Sequence, residues 1–208
     1  MKLIFIRHGQ TEATEKGLYC GQSDLPLSAA GRAALLPENR RFEYPDITGY
    51  RIITSGMIRT EETLRLIYGD RPHEAMPEFR EINFGDFELR HYQELKTDPV
   101  YQEWIKDAYN NVCPNGESRA QVVARVTKKL DELIADGRNV LIIAHGGVIP
   151  DSMEYLFKEG KNLYEWMPDP GNGYIAEIEV SEEGVRPLSY RRIAANAADP
   201  HDIDYGKC

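Results

Sequence analysis

The chain has 208 residues, of which 41% are hydrophobic and 28% charged, and its formal net charge is −9. That length suits one α/β domain with a full core and is short for two, and the composition is that of an ordinary soluble globular protein. The acidic balance argues against non-specific binding to nucleic acid or anionic membrane, but a few arginines in a cleft can still hold a small phosphorylated molecule.

In chain order, residues 2–6 form a short apolar run that predicts a buried strand. Residues 27–36 predict a short helix entered at Ser28 and stopped by Pro37. A second buried strand is predicted over 51–54, followed at once by a helix whose apolar residues are Met57, Leu64, Ile67 and Tyr68. Ala75 and Met76 suggest a brief third strand, and 92–109 a helix interrupted near Pro99. Ser118 and Gln121 have capping-box spacing and open a helix with Val122, Val126, Leu130, Leu133 and Ile134 on one face. Residues 139–144 read as the clearest strand and 148–157 as the helix after it. The segments 173–180 and 185–193 pair as a hairpin through 181–184. This order predicts a single three-layer α/β/α domain over 1–193 with a mostly parallel sheet, and a polar tail over 194–208.

Cys20, Cys113 and Cys208 are odd in number and far apart, so neither a disulfide framework nor a C-x-x-C pair is expected, and a cytoplasmic location is. The apolar run near the start is too short for a signal-peptide core, and no later stretch has the length of a membrane span. Cys208 has no trailing residues, so prenylation is not expected.

Two signals carry chemistry. Arg7-His8-Gly9 follows the first strand directly, and His145-Gly146-Gly147 follows the strand over 139–144. Ligands of open α/β sheets sit beyond the carboxyl ends of the strands, so two histidines leaving separate strands there can face one crevice. Arg59 lies about one turn into the helix after the second strand and can swing over the same space. Each signal alone is more often incidental; their joint placement points to a phosphoryl site. Arg7 and Arg59 offer planar forks of donors to phosphate oxygens. Neutral His8 has a ring nitrogen able to attack phosphorus, and His145 would stabilise charge on the phosphoryl oxygens. The leaving alkoxide needs a proton. Glu81 sits in an apolar-flanked loop where burial would favour its protonated form; Glu78 and Glu88 are not separated from it by spacing alone. His73, His91 and His201 have no comparable context. No metal-ligand spacing occurs, so neither a metal nor another cofactor is expected.

At these residues the sequence resembles the histidine phosphatase superfamily, which includes cofactor-dependent phosphoglycerate mutases. The matching pieces are Arg7-His8-Gly9-Gln10-Thr11, Leu25-Pro26-Leu27-Ser28-x-x-Gly31, Ser55-x-x-x-Arg59-x-x-x-Thr63, Glu81-x-x-x-Gly85-Asp86, Gly116-Glu117-Ser118 and His145-Gly146. The resemblance implies His8 as nucleophile, Glu81 as acid and base, and Arg7, Arg59, His145 and Gly146 as the phosphate pocket; it separates Glu81 from its neighbours. Gly17-Leu18-Tyr19-Cys20-Gly21 and the segment from Phe84 to His91 are similar to the α-ribazole phosphatase branch, although many members have glycine where this chain has Leu89. Thr14 stands where the family often has asparagine, and Cys20 where a polar phosphate-contacting residue is common; both are candidate phosphate contacts. The expected activity is metal-independent hydrolysis of a small phosphomonoester, such as α-ribazole 5′-phosphate, through a phosphohistidine. The alternatives are a cofactor-dependent phosphoglycerate mutase and a non-catalytic phosphate-binding regulatory module. A homodimer is compatible with the resemblance. Tyr92, Tyr101, Trp104 and Tyr109 are candidates either for a lid or for helix packing.

Overall fold

Alternation along the buried strands explains the architecture. In the computed structural model, which describes residues 1–181 and 184–195, the first strand is β1, Lys2–Arg7. Leu3 and Phe5 pack on one side of the sheet and Ile4 and Ile6 on the other, as side chains two apart on a strand must. The next strands are β2 (Arg51–Thr54), β3 (Glu74–Ala75) and β4 (Val140–Ala144). The sheet closes with β5 (Gly173–Ser181) and β6 (Gly184–Arg192). Its order is β3-β2-β4-β1-β5-β6; the pairings from β3 through β1 are parallel, and β5 and β6 are antiparallel.

Helices cover both faces, giving three layers. In chain order they are α1 (Glu12–Glu15), α2 (Ala29–Leu35), α3 (Ile58–Tyr68), α4 (Tyr92–Leu95), α5 (Pro99–Ile105), α6 (Arg119–Asp136), α7 (Val148–Phe157) and α8 (Leu163–Trp166). The α6 residues Val122, Val126, Leu130 and Leu133 bury against Phe5, Ile142 and Ala144, with Met153 of α7 in the same cluster. On the opposite face Leu35 of α2 and Leu64 and Ile67 of α3 meet Ile4, Ile6, Leu141 and Ile143. Each such fully buried aliphatic side chain contributes about 1.5–3 kcal/mol. The predicted capping box is present: Gln121 N–H donates to Ser118 Oγ, and Ser118 N–H to Gln121 Oε1. Gly137, with φ of 74°, ends α6 in the left-handed region that favours glycine.

Several boundaries differ from expectation. Ser28 caps α2 by accepting from Gly31 N–H, and Leu27 lies outside the helix, bridged to Thr11. The segment 92–109 is two short helices; Asp98 caps the second by accepting from Val100 N–H, and Pro99 occupies its first turn, where it needs no N–H partner. The third strand is one residue earlier than predicted. The four-residue α1 and α8 were not anticipated, because neither is long enough to show a period. Of the polar tail, Ala194 O accepts from Glu43 N–H and Ala195 bridges Phe42; residues 196–208, with His201 and Cys208, lie outside the described residues. No described helix is long and apolar enough to cross a membrane.

Candidate active site

The sheet register assembles the site. Arg7 lies opposite Ala144 in the parallel β1–β4 pair, and Thr54 lies opposite Ile143 in the β2–β4 pair. His8, His145 and Ser55 therefore leave three neighbouring strands at one carboxyl edge. His8 N–H continues the ladder to Ala144 O at 3.0 Å. The rings of His8 and His145 stand 5.1 Å apart between centroids, inclined at 62°.

His8 has a defined tautomer. Its Nδ1 is 2.7 Å from Gly9 O, an atom that can only accept, so Nδ1 carries the proton. Nε2 keeps its lone pair. Burial, with the positive charges of Arg59 and Arg7, pushes the His8 imidazole well below its ordinary range, so the ring is neutral at neutral pH. Gly9 N–H donates to Thr63 Oγ1 at 3.0 Å, and Thr63 Oγ1 donates to Arg59 O, which ties the nucleophile loop to α3.

Arg59 is almost fully buried, at 1% exposure. Its Nη1 donates to Ser23 O (3.0 Å), Nη2 to Gly21 O (2.6 Å) and Nε to His145 Nδ1 (3.3 Å). Arg7 donates through Nη1 to Pro168 O at 2.9 Å, while its buried Nε has no protein acceptor. Burial lowers the pKa of both guanidinium groups, yet a guanidinium starts high enough to stay cationic. The guanidinium of Arg7 packs so closely on Gly146 that a Cβ there would lie 3.2 Å from Cζ.

Three carboxylates competed for the acid position, and they occupy different places. Glu81 borders the cleft; its Oε1 accepts from Ile82 N–H (3.0 Å) and its Oε2 from Gly147 N–H (2.8 Å). Glu88 is occupied with the loop that holds Arg59, accepting from the N–H groups of Gly21, Gln22, Ser23 and Phe84. Glu78 pairs with Lys129 at the surface.

The cleft has a volume of about 450 Å³ and brings together Arg7, His8, Thr14, Cys20, Arg59 and Glu81, with Gly146 on its wall. Thr14 shares a 3.0 Å hydrogen bond between hydroxyls with Thr11. Burial raises the Cys20 thiol pKa, opposed by the charge of Arg59, which leaves a weak S–H donor 3.8 Å from Ser23 O. His145 is placed differently from the expectation. It is fully buried behind this wall, with Nδ1 facing Arg59 and Nε2 facing Ser55 Oγ at 2.8 Å. Tyr92 lines the cleft, as do Tyr19, within the segment similar to the α-ribazole phosphatase branch, and the unanticipated Tyr164 and Met167. Tyr101 and Trp104 are the buried residues of α5, packed with Phe87 and with Leu95 of α4, and Tyr109 is exposed. His91 caps α4 and lies against Gly17 and Leu18 at the edge of the cleft, and His73 pairs with Glu61 elsewhere. Among the described residues, no three His, Cys, Asp or Glu side chains gather as a metal site.

A three-layer α/β/α domain with two histidines and two arginines at the carboxyl edge of a parallel sheet defines a class, and the sequence comparison agrees. The model of the histidine phosphatase superfamily (branch 1) matches residues 3–192, and the chain belongs to that family. It is an enzyme of the histidine-phosphatase type, a phosphoric monoester hydrolase. Among its relatives, adenosylcobalamin/alpha-ribazole phosphatase of Salmonella typhimurium strain LT2 is 36% identical over 157 residues, 72% of this chain and 76% of that protein. The Escherichia coli strain K12 protein of the same name is 33% identical over 206 residues, 95% of this chain and 100% of its own length. The crystal structure of the alpha-ribazole phosphatase from Shigella flexneri superposes with a TM-score of 0.73 at 27% identity, covering 90% of this chain and 95% of that one.

Proposed function

We propose that the cleft hydrolyses a small phosphomonoester through a phosphohistidine on His8, without a metal, and that the substrate is α-ribazole 5′-phosphate. The observation that carries the reaction is the fixed tautomer of His8: a proton on Nδ1, held by Gly9 O, and a lone pair on Nε2 within the field of the Arg59 and Arg7 guanidinium groups.

In the first step Nε2 attacks phosphorus, the P–O bond to the alcohol breaks, and Glu81 gives its proton to the departing oxygen. Arg7 and Arg59 hold the phosphoryl oxygens; the unpartnered Nε–H of Arg7 is available to them. In the second step water attacks the phosphohistidine while Glu81 takes its proton. This regenerates His8 and releases inorganic phosphate. Positioning and fixed positive charge supply most of the rate, as phosphoryl transfer requires. His145 acts by bracing Arg59 and standing against His8. Thr14 and Cys20 face the phosphoryl group as weak donors.

Two relatives named for α-ribazole phosphatase activity, at 36% and 33% identity, support the choice of substrate. The test is turnover on a panel of phosphomonoesters that includes α-ribazole 5′-phosphate, in the presence of chelator, for the wild type and His8→Ala. The expected result is hydrolysis that selects α-ribazole 5′-phosphate, with a trapped phosphohistidine that His8→Ala lacks. Equal activity in the two proteins overturns the mechanism. Interconversion of 2- and 3-phosphoglycerate stimulated by bisphosphoglycerate overturns the assignment as a phosphatase, and phosphate binding without turnover on any member of the panel makes the chain a regulatory module.

A further inference from the structure

The ring of His145 has two nitrogens and, when neutral, one proton; the surrounding groups decide where it sits. Arg59 has only donors, so its Nε–H at 3.3 Å makes His145 Nδ1 an acceptor. Burial first, and the adjacent Arg59 second, hold this imidazole well below its ordinary range, so it is neutral at neutral pH. A neutral ring that is bare at Nδ1 carries its proton on Nε2, and Ser55 Oγ at 2.8 Å accepts it. The hydroxyl proton of Ser55 then needs its own acceptor, and Thr60 Oγ1 lies 3.2 Å away. Thr60 in turn donates to Met57 O at 2.8 Å, a carbonyl that also takes the N–H groups of Thr60 and Glu61. Read from either end, the relay has one direction. Ser55, Thr60 and His145 are all fully buried, where a polar group left without a partner is costly.

We propose that Thr60 is a positioning residue: through the Ser55 hydroxyl it fixes His145 as the Nε2–H tautomer and so keeps Nδ1 as the acceptor that orients the Arg59 guanidinium. The link from Arg59 to phosphate rests on the phosphoryl reading of the cleft given above; the tautomer does not. With valine at position 60 the shape is kept and the acceptor lost. The Ser55 O–H then turns to Nε2, and the ring takes the Nδ1–H form, in which its proton opposes the Nε–H of Arg59.

The experiment is heteronuclear NMR of the His145 ring nitrogens in the full chain at neutral pH, together with calorimetric binding of inorganic phosphate, for wild type, Thr60→Val and Thr60→Ser. A bare Nδ1 is expected in the wild type and in Thr60→Ser. In Thr60→Val a protonated Nδ1 appears, phosphate binds about tenfold more weakly, and KM rises more than kcat falls. Absent turnover in a wild type that shows the expected tautomer would strike the reading of the reaction and leave the relay standing. A protonated Nδ1 in the wild type overturns the proposal without any variant having to fold, and so does a Thr60→Val protein with unchanged tautomer and affinity.

Discussion

Gly147 donates its backbone N–H to Glu81 Oε2 across 2.8 Å, which fastens the acid loop to the start of α7. The same glycine lies so close that a Cβ added to it would meet Glu81 Oε1 at 2.5 Å. Its backbone, at φ −85° and ψ −40°, suits any residue. Gly147→Ala therefore isolates the displacement of one carboxyl group from any strain of the main chain. The expected outcome is a folded protein whose kcat on alkyl phosphates falls about 10- to 100-fold, because a small misplacement of a catalytic group is costly. Unchanged kcat, measured in steady state, would show that Glu81 does not act from this position.

Glu81→Gln tests the proton itself. Glutamine keeps the shape and an acceptor for one of the two N–H groups, turns its amide donor to the other, and has no proton to exchange. Turnover of alkyl phosphates is expected to fall by about 10²- to 10⁴-fold. Aryl phosphates, whose leaving group needs little protonation, should still phosphorylate His8 and then stall, because water is no longer activated. Rapid-quench kinetics should show a burst of phenol and an accumulating phosphohistidine. A uniform loss across leaving groups, with no burst, would assign the proton to another residue.

The two buried histidines make stability depend on pH, and the sign is fixed. Burial holds both folded-state pKa values below the ordinary 6.5, with Arg59 adding to the effect at each ring. Below that pH the unfolded chain takes up protons that the folded chain does not. Stability from these groups is thus full above pH 6.5 and is lost as pH falls toward the folded values, by up to about 1.4 kcal/mol per pH unit for each histidine. In urea titrations His8→Gln should show a shallower decline between about pH 6 and 5, by an amount approaching that of one histidine. Parallel declines for the two proteins would mean that His8 is not held neutral.

Leu89 has φ of 57°, a left-handed conformation that costs a branched side chain about 1–2 kcal/mol. Its N–H donates to Tyr19 O at 2.6 Å, so the conformation is held by the loop beside the cleft. Glycine relieves the strain, although it adds freedom to the unfolded chain. Leu89→Gly is expected to leave stability equal or higher by up to about 1 kcal/mol, while Leu89→Val loses about as much or more. Thermal unfolding of the pair decides it, and a glycine variant less stable than the valine one would sink the idea.

How much of this was legible beforehand depends on the length scale of the signal. The convergence of His8 and His145 could be read because each follows an apolar run directly, and parallel strands in register bring equivalent ends together. The three-layer order could be read for the same reason. Which carboxylate borders the cleft could not be read from spacing: Glu88, seven residues beyond Glu81, turns back to accept three backbone donors from a loop more than sixty residues away in sequence, and a fourth from Phe84. The orientation of His145 was equally hidden, since it depends on the Nε–H of Arg59 and a serine on a third strand. The cleft residue Tyr164 escaped because a four-residue helix carries no period to read.

Gly146, next to Gly147, should give the opposite kinetic signature. A Cβ there would lie 3.2 Å from Arg7 Cζ and 3.3 Å from both Nε and Nη2, so the guanidinium must yield by a few tenths of an ångström. Arg7 is the last residue of β1 and is anchored by Nη1 to Pro168 O, which limits how it can yield. Its displaced fork meets phosphate oxygens less well in the ground state and the transition state alike. Loss of that kind raises KM more than it lowers kcat. Gly146→Ala is expected to raise KM about three- to tenfold with kcat within about threefold of wild type, and to weaken inhibition by inorganic phosphate in proportion. Should Gly146→Ala instead reduce kcat alone, as Gly147→Ala is expected to do, the two glycines would share one role and Arg7 would not be the group that grips the anion.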